Sequence, residues 1–296
     1  MLSLFAHADH SPKVLASIHP LGLIASSVVD AEQLDVLLQP GVTPHDFSLK
    51  PSDIDRLQEA DVIFWSGARI EPYLSGFARR WPDKHWIDIS AFASEASIKD
   101  PHYWLSPPAV VAAQKALAEV LGADSTDFAD QVAQAVAYSD RVLAPLKERG
   151  FFVFHRAYDH WVTEFGLNQV GAFTITPEQK PGMRTIQLMR EQLRAGQVAC
   201  IFREPEYSPA LVVKVVGDLP VKQGELDPLG GSISLSRDGY PYFLRTIPSD
   251  STTSLATASL FADLGYKYVG IVHTVDSYGN PYGKAFLEAC SALGLT

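Results

Sequence analysis

"FFVFHRAYDHWVTEFGLNQVGAF", residues 151–173, contains a four-residue apolar run, a segment with helical spacing and then a second apolar run. Short apolar runs of this kind are typical of buried strands, and a strand that returns through a helix lies parallel to the first. The stretch therefore predicts a βαβ unit. Because parallel sheets are covered by helices on their faces, it favours an α/β fold.

The same alternation of apolar runs and helical segments continues on both sides of this unit. It is interrupted once, by about 25 residues of unbroken helical pattern that end near Gly150. We predict two lobes, each a mostly parallel sheet flanked by helices, joined by one long connecting helix. The expected boundaries are an N-terminal lobe at 11–123, the connecting helix at 124–149, a C-terminal lobe at 150–245 and an atypical tail at 246–296.

Composition narrows the classes of partner. The chain has 296 residues, is 47% hydrophobic and carries a formal net charge of -10. Without a cluster of basic residues, it is not expected to bind nucleic acid or an anionic membrane surface. No apolar run approaches the roughly 20 residues that a membrane-spanning helix needs. Residues 1–10 include the small-x-small pattern Ala6-His7-Ala8, which we interpret either as the remnant of an incomplete signal peptide or as a plain terminus.

Four potential metal ligands follow predicted strands. His45 comes after "LDVLL", His102 after "HWIDIS", His155 directly after "FFVF" and Asp227 directly after "VKQGEL". Ligands of open parallel sheets gather at the carboxyl ends of the strands, and two of the four residues come from each lobe. Three imidazoles and one carboxylate form a four-coordinate nitrogen and oxygen set that suits zinc. The pattern predicts a metal site in the cleft between the lobes.

The histidines and some residues near them in the sequence also have simpler, structural interpretations. An isolated histidine beside a strand is more often structural or solvated than a ligand. His160 lies five residues after His155, which on a helix is about 140° away, so the two should not share a metal. Glu204 ends a strand and could equally orient a ligand or brace the fold. Trp104, like the other tryptophans, is assigned to the core.

Six segments carry a family resemblance, in the order "ASIHPLGLIASSVV", "LLQPGVTPHDFSLKPSDIDRLQEADVIFWSG", "HYWLSP", "FFVFHRAYDHWVTEFGL", "CIFREPEYSPALV" and "GELDPLG". Together they make about 11–245 similar to the ZnuA-type zinc-binding proteins of the cluster A-I solute-binding family. The resemblance implies a periplasmic receptor, not an enzyme, that binds Zn²⁺ as cargo and delivers it to a membrane ABC permease. It also implies that His45, His102, His155 and Asp227 are the metal ligands. We expect a monomer without direct membrane insertion.

The residue at position 155 bears on the choice of metal. Relatives that favour manganese are expected to carry a glutamate there, whereas an imidazole shifts the ligand set towards zinc. Zinc is therefore predicted, with manganese or another divalent metal as the alternative. A zinc hydrolase is a further alternative, but the sequence has no HExxH motif. A receptor for amino acids or peptides is a third alternative, motivated only by the tail.

The tail resembles a different family. "FLRTIPSD", "YVGIV" and "DSYGNPYGKAFLEA", within 241–296, are similar to the ligand-binding region of receptors with the type I periplasmic-binding fold. We expect a helix at about 252–264, a strand "KYVGIVHTV" and a last helix, which would be only one piece of that larger domain. Such a piece should dock on the second lobe, pair with another chain or stay mobile. Cys200 lies where zinc-binding relatives often have a cysteine bonded to their C-terminal helix, and whether Cys290 replaces that partner is left open.

Overall fold

The computed structural model describes residues 11–38, 42–93, 99–174, 181–205, 207–230, 250–271 and 279–295. The expected signal-peptide remnant at 1–10 and the end of the predicted C-terminal lobe at 231–245 lie outside these ranges.

Two four-stranded sheets organise the chain. The first has the strand order β2-β1-β3-β4 and the second the order β6-β5-β7-β8, and every strand pair is parallel. The predicted class, two parallel α/β lobes, is confirmed. The strands are β1 (Val14–Ala16), β2 (Leu34–Val36), β3 (Val62–Trp65), β4 (His85–Asp88), β5 (Phe151–His155), β6 (Gln169–Thr174), β7 (Cys200–Arg203) and β8 (Lys222–Glu225).

Helices connect the strands, as parallel pairing requires. Short 3₁₀ helices also occur at Ile89–Phe92, Tyr103–Leu105 and Ala144–Leu146. The α-helices are α1 (His19–Ala25), α2 (Pro51–Glu59), α3 (Ser75–Arg80), α4 (Pro107–Leu121), α5 (Thr126–Leu143), α6 (Asp159–Phe165), α7 (Met183–Arg194), α8 (Ala210–Val216), α9 (Asp250–Asp263) and α10 (Gly279–Ala292).

The first lobe has the larger apolar core. Its buried side chains come from β1, β3 and β4 and from the helices that cover the sheet, with Phe64 and Leu21 fully buried and Leu34 and Val36 of β2 partly buried against them. Helix α1 packs closely against β2 at Gly22, where an added Cβ would lie 2.5 Å from Cγ2 of Val36. In the second lobe, one buried cluster includes Phe152 and Val212, and a smaller one contains Val153 and Tyr158.

Helix α5 lies inside the range predicted for the connecting helix. It ends at Leu143, and the 3₁₀ helix that follows, Ala144–Leu146, contains Pro145. Ala144 still donates its N–H to the Asp140 carbonyl, but proline has no N–H to continue the helical hydrogen-bond ladder, so the α-helix stops before it. The lobe boundaries themselves stay predictions.

The tail forms helices α9 and α10, which pack together. Its buried apolar cluster consists of Ala258, Phe286, Ala289, Cys290 and Leu295, all from the tail itself. The prediction of a strand was wrong over 267–271, which is irregular, and the rest of that stretch lies outside the described residues. The described parts of the tail, 250–271 and 279–295, contain no other strand, and a strand is stabilised by hydrogen bonds to a neighbouring strand.

Two further observations concern cysteine chemistry and membranes. Cys200 and Cys290 are both free, and Cys290 is buried within the tail cluster. Among the helices that the structure describes, none is both long and apolar enough to cross a bilayer.

Candidate metal centre

Three histidines meet between the lobes. His45 lies in the loop between β2 and α2, His102 immediately precedes the 3₁₀ helix at Tyr103–Leu105, and His155 is the last residue of β5. The Nε2 atom of His102 is 3.1 Å from Nε2 of His45 and 3.1 Å from Nε2 of His155. One ligand atom from each histidine lies within 4.8 Å of the other two, which is compact enough to surround one metal ion.

A buried carboxylate orients His102. Asp100 accepts hydrogen bonds at Oδ1 from the backbone N–H of His102 and from its Nδ1 atom, and both residues are only 3% exposed. The second oxygen of Asp100 accepts the backbone N–H of Asp159, at the start of α6, at 2.9 Å. Asp100 therefore fixes the ring of His102 and also ties this segment to the second lobe.

The charge states of this pair suit metal binding. Burial lowers the pKa of His102, and the hydrogen bond to Asp100 opposes the shift only in part. Burial on its own would raise the pKa of Asp100, but the hydrogen bonds and charge of His102, together with the Asp159 N–H, outweigh it and lower this pKa. A neutral imidazole that donates from Nδ1 to a carboxylate keeps the lone pair of Nε2 available for a metal.

His155 has an equivalent partner in Glu204. Its Nδ1 atom is 2.6 Å from Oε2 of Glu204, and its backbone N–H donates to Oε1 at 3.4 Å. Burial raises the pKa of Glu204 well above its usual range, against the hydrogen bond from His155. Both residues are 2% exposed. Of the two roles considered for Glu204 from the sequence, the contact with His155 favours the orientation of a ligand.

Asp227 lies two residues after the end of β8, at the carboxyl edge of the second sheet. Its Oδ1 atom accepts the backbone N–H groups of Leu229 and Gly230 at 2.9 and 2.8 Å. Its charge contributes to the raised pKa of Glu204, although burial is the larger cause. Within the described residues, the group whose ligand atoms lie within 4.8 Å of one another contains the three histidines without Asp227. Asp227 as the fourth ligand stays a prediction.

Other residues around the centre were missed or assigned differently from the sequence. The cavity at the centre is also lined by Trp104 and Tyr207. Trp104 lies in the buried core of the first lobe, as predicted, and its indole N–H also donates to the carbonyl of Pro228 at 2.8 Å. His160 faces the carbonyl of Asp100 at 3.0 Å, so it supports the segment before His102. An acidic residue two positions before a predicted ligand was the available signal for Asp100.

Three imidazole nitrogens beside a carboxylate form a donor set that suits zinc better than the harder magnesium or calcium ions. Residues from both lobes supply these donors, so one ion would hold the lobes together. Fold and site together define a two-lobed α/β metal-binding protein. A family model described as "Zinc-uptake complex component A periplasmic" matches residues 14–249, and the chain belongs to this family, ZnuA.

Curated relatives agree with this assignment. The chain is 31% identical over 295 residues to the high-affinity zinc uptake system protein ZnuA of Haemophilus ducreyi, covering 84% of this chain and 94% of the relative. It is 32% identical over 293 residues to the ZnuA protein of Yersinia pestis, covering 83% and 92%. The expected family is confirmed.

Solved structures share the fold. The periplasmic zinc-binding protein TroA of Treponema pallidum has a TM-score of 0.65 at 19% identity, over 74% of this chain and 89% of that one. A crystal structure of ZnuA has a TM-score of 0.62 at 22% identity, over 74% and 92%. The tail is different, because a model of the receptor family ligand binding region matches residues 232–296.

Proposed function

We propose that this protein captures zinc in the cleft between its lobes and delivers it to the membrane permease of an ABC uptake system. The observation that carries the proposal is the convergence of three imidazole Nε2 atoms, two of them backed by buried carboxylates. Family membership supports it, because the family description is that of a periplasmic zinc-uptake component. The proposed location is accordingly the periplasm, where a receptor can meet both cargo and permease.

We further propose that His45, His102, His155 and Asp227 are the four ligands. The first three are already grouped, and Asp227 lies on the edge of the second sheet from which His155 also emerges. A carboxylate would offset part of the charge of the divalent ion and complete a tetrahedral set. Zinc is held as cargo in this scheme, and we propose a binding role without turnover of ester or peptide substrates.

The deciding experiment is a metal competition. Protein stripped with a chelator and then loaded from an equimolar mixture of zinc and manganese should retain one zinc per chain, measured by elemental analysis after desalting. Preferential retention of manganese would establish the alternative metal. Metal-independent binding of amino acids, or hydrolysis of esters that depends on zinc, would contradict the receptor role altogether.

Asp227 can be tested separately by substitution with asparagine. Asp227→Asn keeps the shape of the side chain but removes its charge, so zinc should still bind at one site with weaker affinity. The matched control is Asp218→Asn, a change of the same kind on the loop before β8. An affinity equal to that of the control would remove Asp227 from the ligand set and leave the three histidines.

A further inference from the structure

Hydrogen bonds between the two lobes are distributed unevenly over the ligands. The segment around His102 is tied to the second lobe by three of them: Asp100 to the Asp159 N–H, the Asp100 carbonyl to His160, and Trp104 to the Pro228 carbonyl. These contacts anchor one ligand segment of the first lobe to the second lobe.

The loop of His45 is tied across the cleft by a different contact. The hydroxyl of Tyr207 donates to Oγ1 of Thr43 at 3.0 Å, a contact between residues 164 positions apart in the chain. The same Oγ1 atom accepts the backbone N–H of His45 at 3.3 Å. The hydroxyl of Thr43 therefore lies between a residue of the second lobe and the backbone of a metal ligand.

The position of Tyr207 is set by the second lobe. Its ring stacks on Phe154 of β5, with centroids 4.9 Å apart and planes inclined by 14°. Its backbone N–H donates to the carbonyl of Glu204 at 3.3 Å. The turn that supplies the partner of His155 therefore also supplies the residue that reaches the loop of His45.

We infer that the hydrogen bond between Tyr207 and Thr43, the clasp, is a positioning contact that holds the His45 loop over the metal centre and slows the release of zinc. The inference rests on the proposed function, because it concerns the zinc that the three histidines bind. Both residues line the cavity at the centre, and neither is counted among the ligands. For zinc to leave past His45, this loop has to move away from the second lobe, which breaks the clasp.

The test compares zinc release from the intact, loaded protein and its variants, with an excess of chelator and rapid mixing. Tyr207→Phe keeps the stacked ring and removes only the hydroxyl, so release should become about two- to tenfold faster, the effect of one neutral hydrogen bond. Tyr138→Phe removes a hydroxyl from exposed helix α5 and should release zinc at the wild-type rate. Each variant should still bind one zinc.

Substitutions at Thr43 complete a double-mutant cycle. Thr43→Ser retains the acceptor and should preserve the wild-type rate, whereas Thr43→Val removes it and should accelerate release. In the Thr43→Val background, Tyr207→Phe should add little, because the two changes remove the same bond. A purely structural role would lower the thermal stability of the metal-free protein without this coupling in the release rate.

Two results would contradict the proposed role of the clasp in zinc release. One is a release rate for Tyr207→Phe equal to that of Tyr138→Phe, and the other is full additivity of the Tyr207 and Thr43 changes. If the wild-type protein itself bound no zinc, the proposed function would fail instead, and the two failures are thereby distinguished.

Discussion

The central strands of the two sheets, β1 and β5, end beside buried glutamates that have different partners. After β1, the hydroxyl of Ser17 donates to Oε2 of Glu71 at 2.7 Å. At the end of β5, the ring of His155 faces Oε2 of Glu204 at 2.6 Å. Each glutamate follows the strand that pairs with the central one, β3 in the first lobe and β7 in the second.

Glu71 and Glu204 also differ in their other hydrogen-bond partners. Glu71 accepts the backbone N–H of Ser66 at 2.7 Å and the hydroxyl of Tyr73 at 3.0 Å, so it binds together the loops at the edge of its own lobe. Glu204 is directed at a potential metal ligand. The same place in two parallel sheets can therefore brace a fold or orient a ligand, depending on the side chain at the end of the central strand.

The largest expected effect comes from exchanging these strand-end residues for alanine. His155→Ala removes one of three grouped imidazoles, so zinc affinity should fall by more than the roughly 10- to 100-fold typical of losing an outer partner. Ser17→Ala should leave zinc affinity unchanged, because the hydroxyl that it removes donates to Glu71 and not to a metal ligand. Competition with a chelator of known affinity measures both. Equal losses would mean that the two strand ends do not differ in function.

His160→Ala is the matched histidine control. His160 is buried and faces the backbone carbonyl of Asp100, whose side chain in turn contacts the ring of His102. The change should weaken zinc binding far less than His155→Ala, and any loss should come with lower stability of the metal-free protein.

The next effect compares the two glutamates directly. Glu204→Gln removes the carboxylate that faces Nδ1 of His155, so zinc should bind about 10- to 100-fold more weakly. Glu71→Gln should not change zinc affinity, since Glu71 contacts no ligand in the described structure. Calorimetric titration of both variants checks this. A comparable loss of zinc affinity in Glu71→Gln would show that Glu71, in the first lobe, also controls the metal site.

A smaller effect is the pH dependence of stability due to Glu71. Burial raises the pKa of Glu71 above its ordinary value of 4.5, even though hydrogen bonds from Ser17, Ser66 and Tyr73 oppose the shift. The native state then binds the proton more tightly than the unfolded state, so this group's contribution to stability falls as the pH rises from about 4.5 through the native pKa.

Glu71→Gln should remove this contribution. The free energy of unfolding of the variant should therefore increase relative to that of the wild type as the pH rises, in urea titrations of metal-free protein from about pH 4.5 to pH 8. A difference that is constant with pH would contradict the raised pKa.

The smallest effect is expected from removing the tail, because, unlike the two lobes, it contains none of the proposed metal ligands. Its buried apolar side chains cluster with one another. Cutting the chain after Arg245 should keep one zinc per chain and change the unfolding free energy of the lobes by no more than about 0.5 kcal/mol, as for surface changes. Thermal unfolding and metal analysis of the shortened chain measure both quantities. A loss of several kcal/mol would instead show that the tail covers apolar surface of the second lobe.

Much of the fold was predictable because the pattern is local. Runs such as "FFVFH" are apolar on both faces, and the segments between them have helical spacing, which together leave parallel sheets as the solution. The tail strand was predicted wrongly for the same reason. Its composition favours an extended chain, but a strand forms only where a neighbouring strand accepts and donates its hydrogen bonds.

By itself the sequence determined the two parallel lobes and placed His155 at a strand end and His45 and His102 in segments that follow strands. It also determined the type of donor, because an imidazole at position 155 differs chemically from a carboxylate. The tertiary structure alone decided which partners those donors have: Asp100 beside His102, Glu204 beside His155, and Tyr207 reaching Thr43 across the cleft. Strand periodicity shows where a side chain leaves a sheet, but contacts between distant segments depend on how the two lobes are placed against each other.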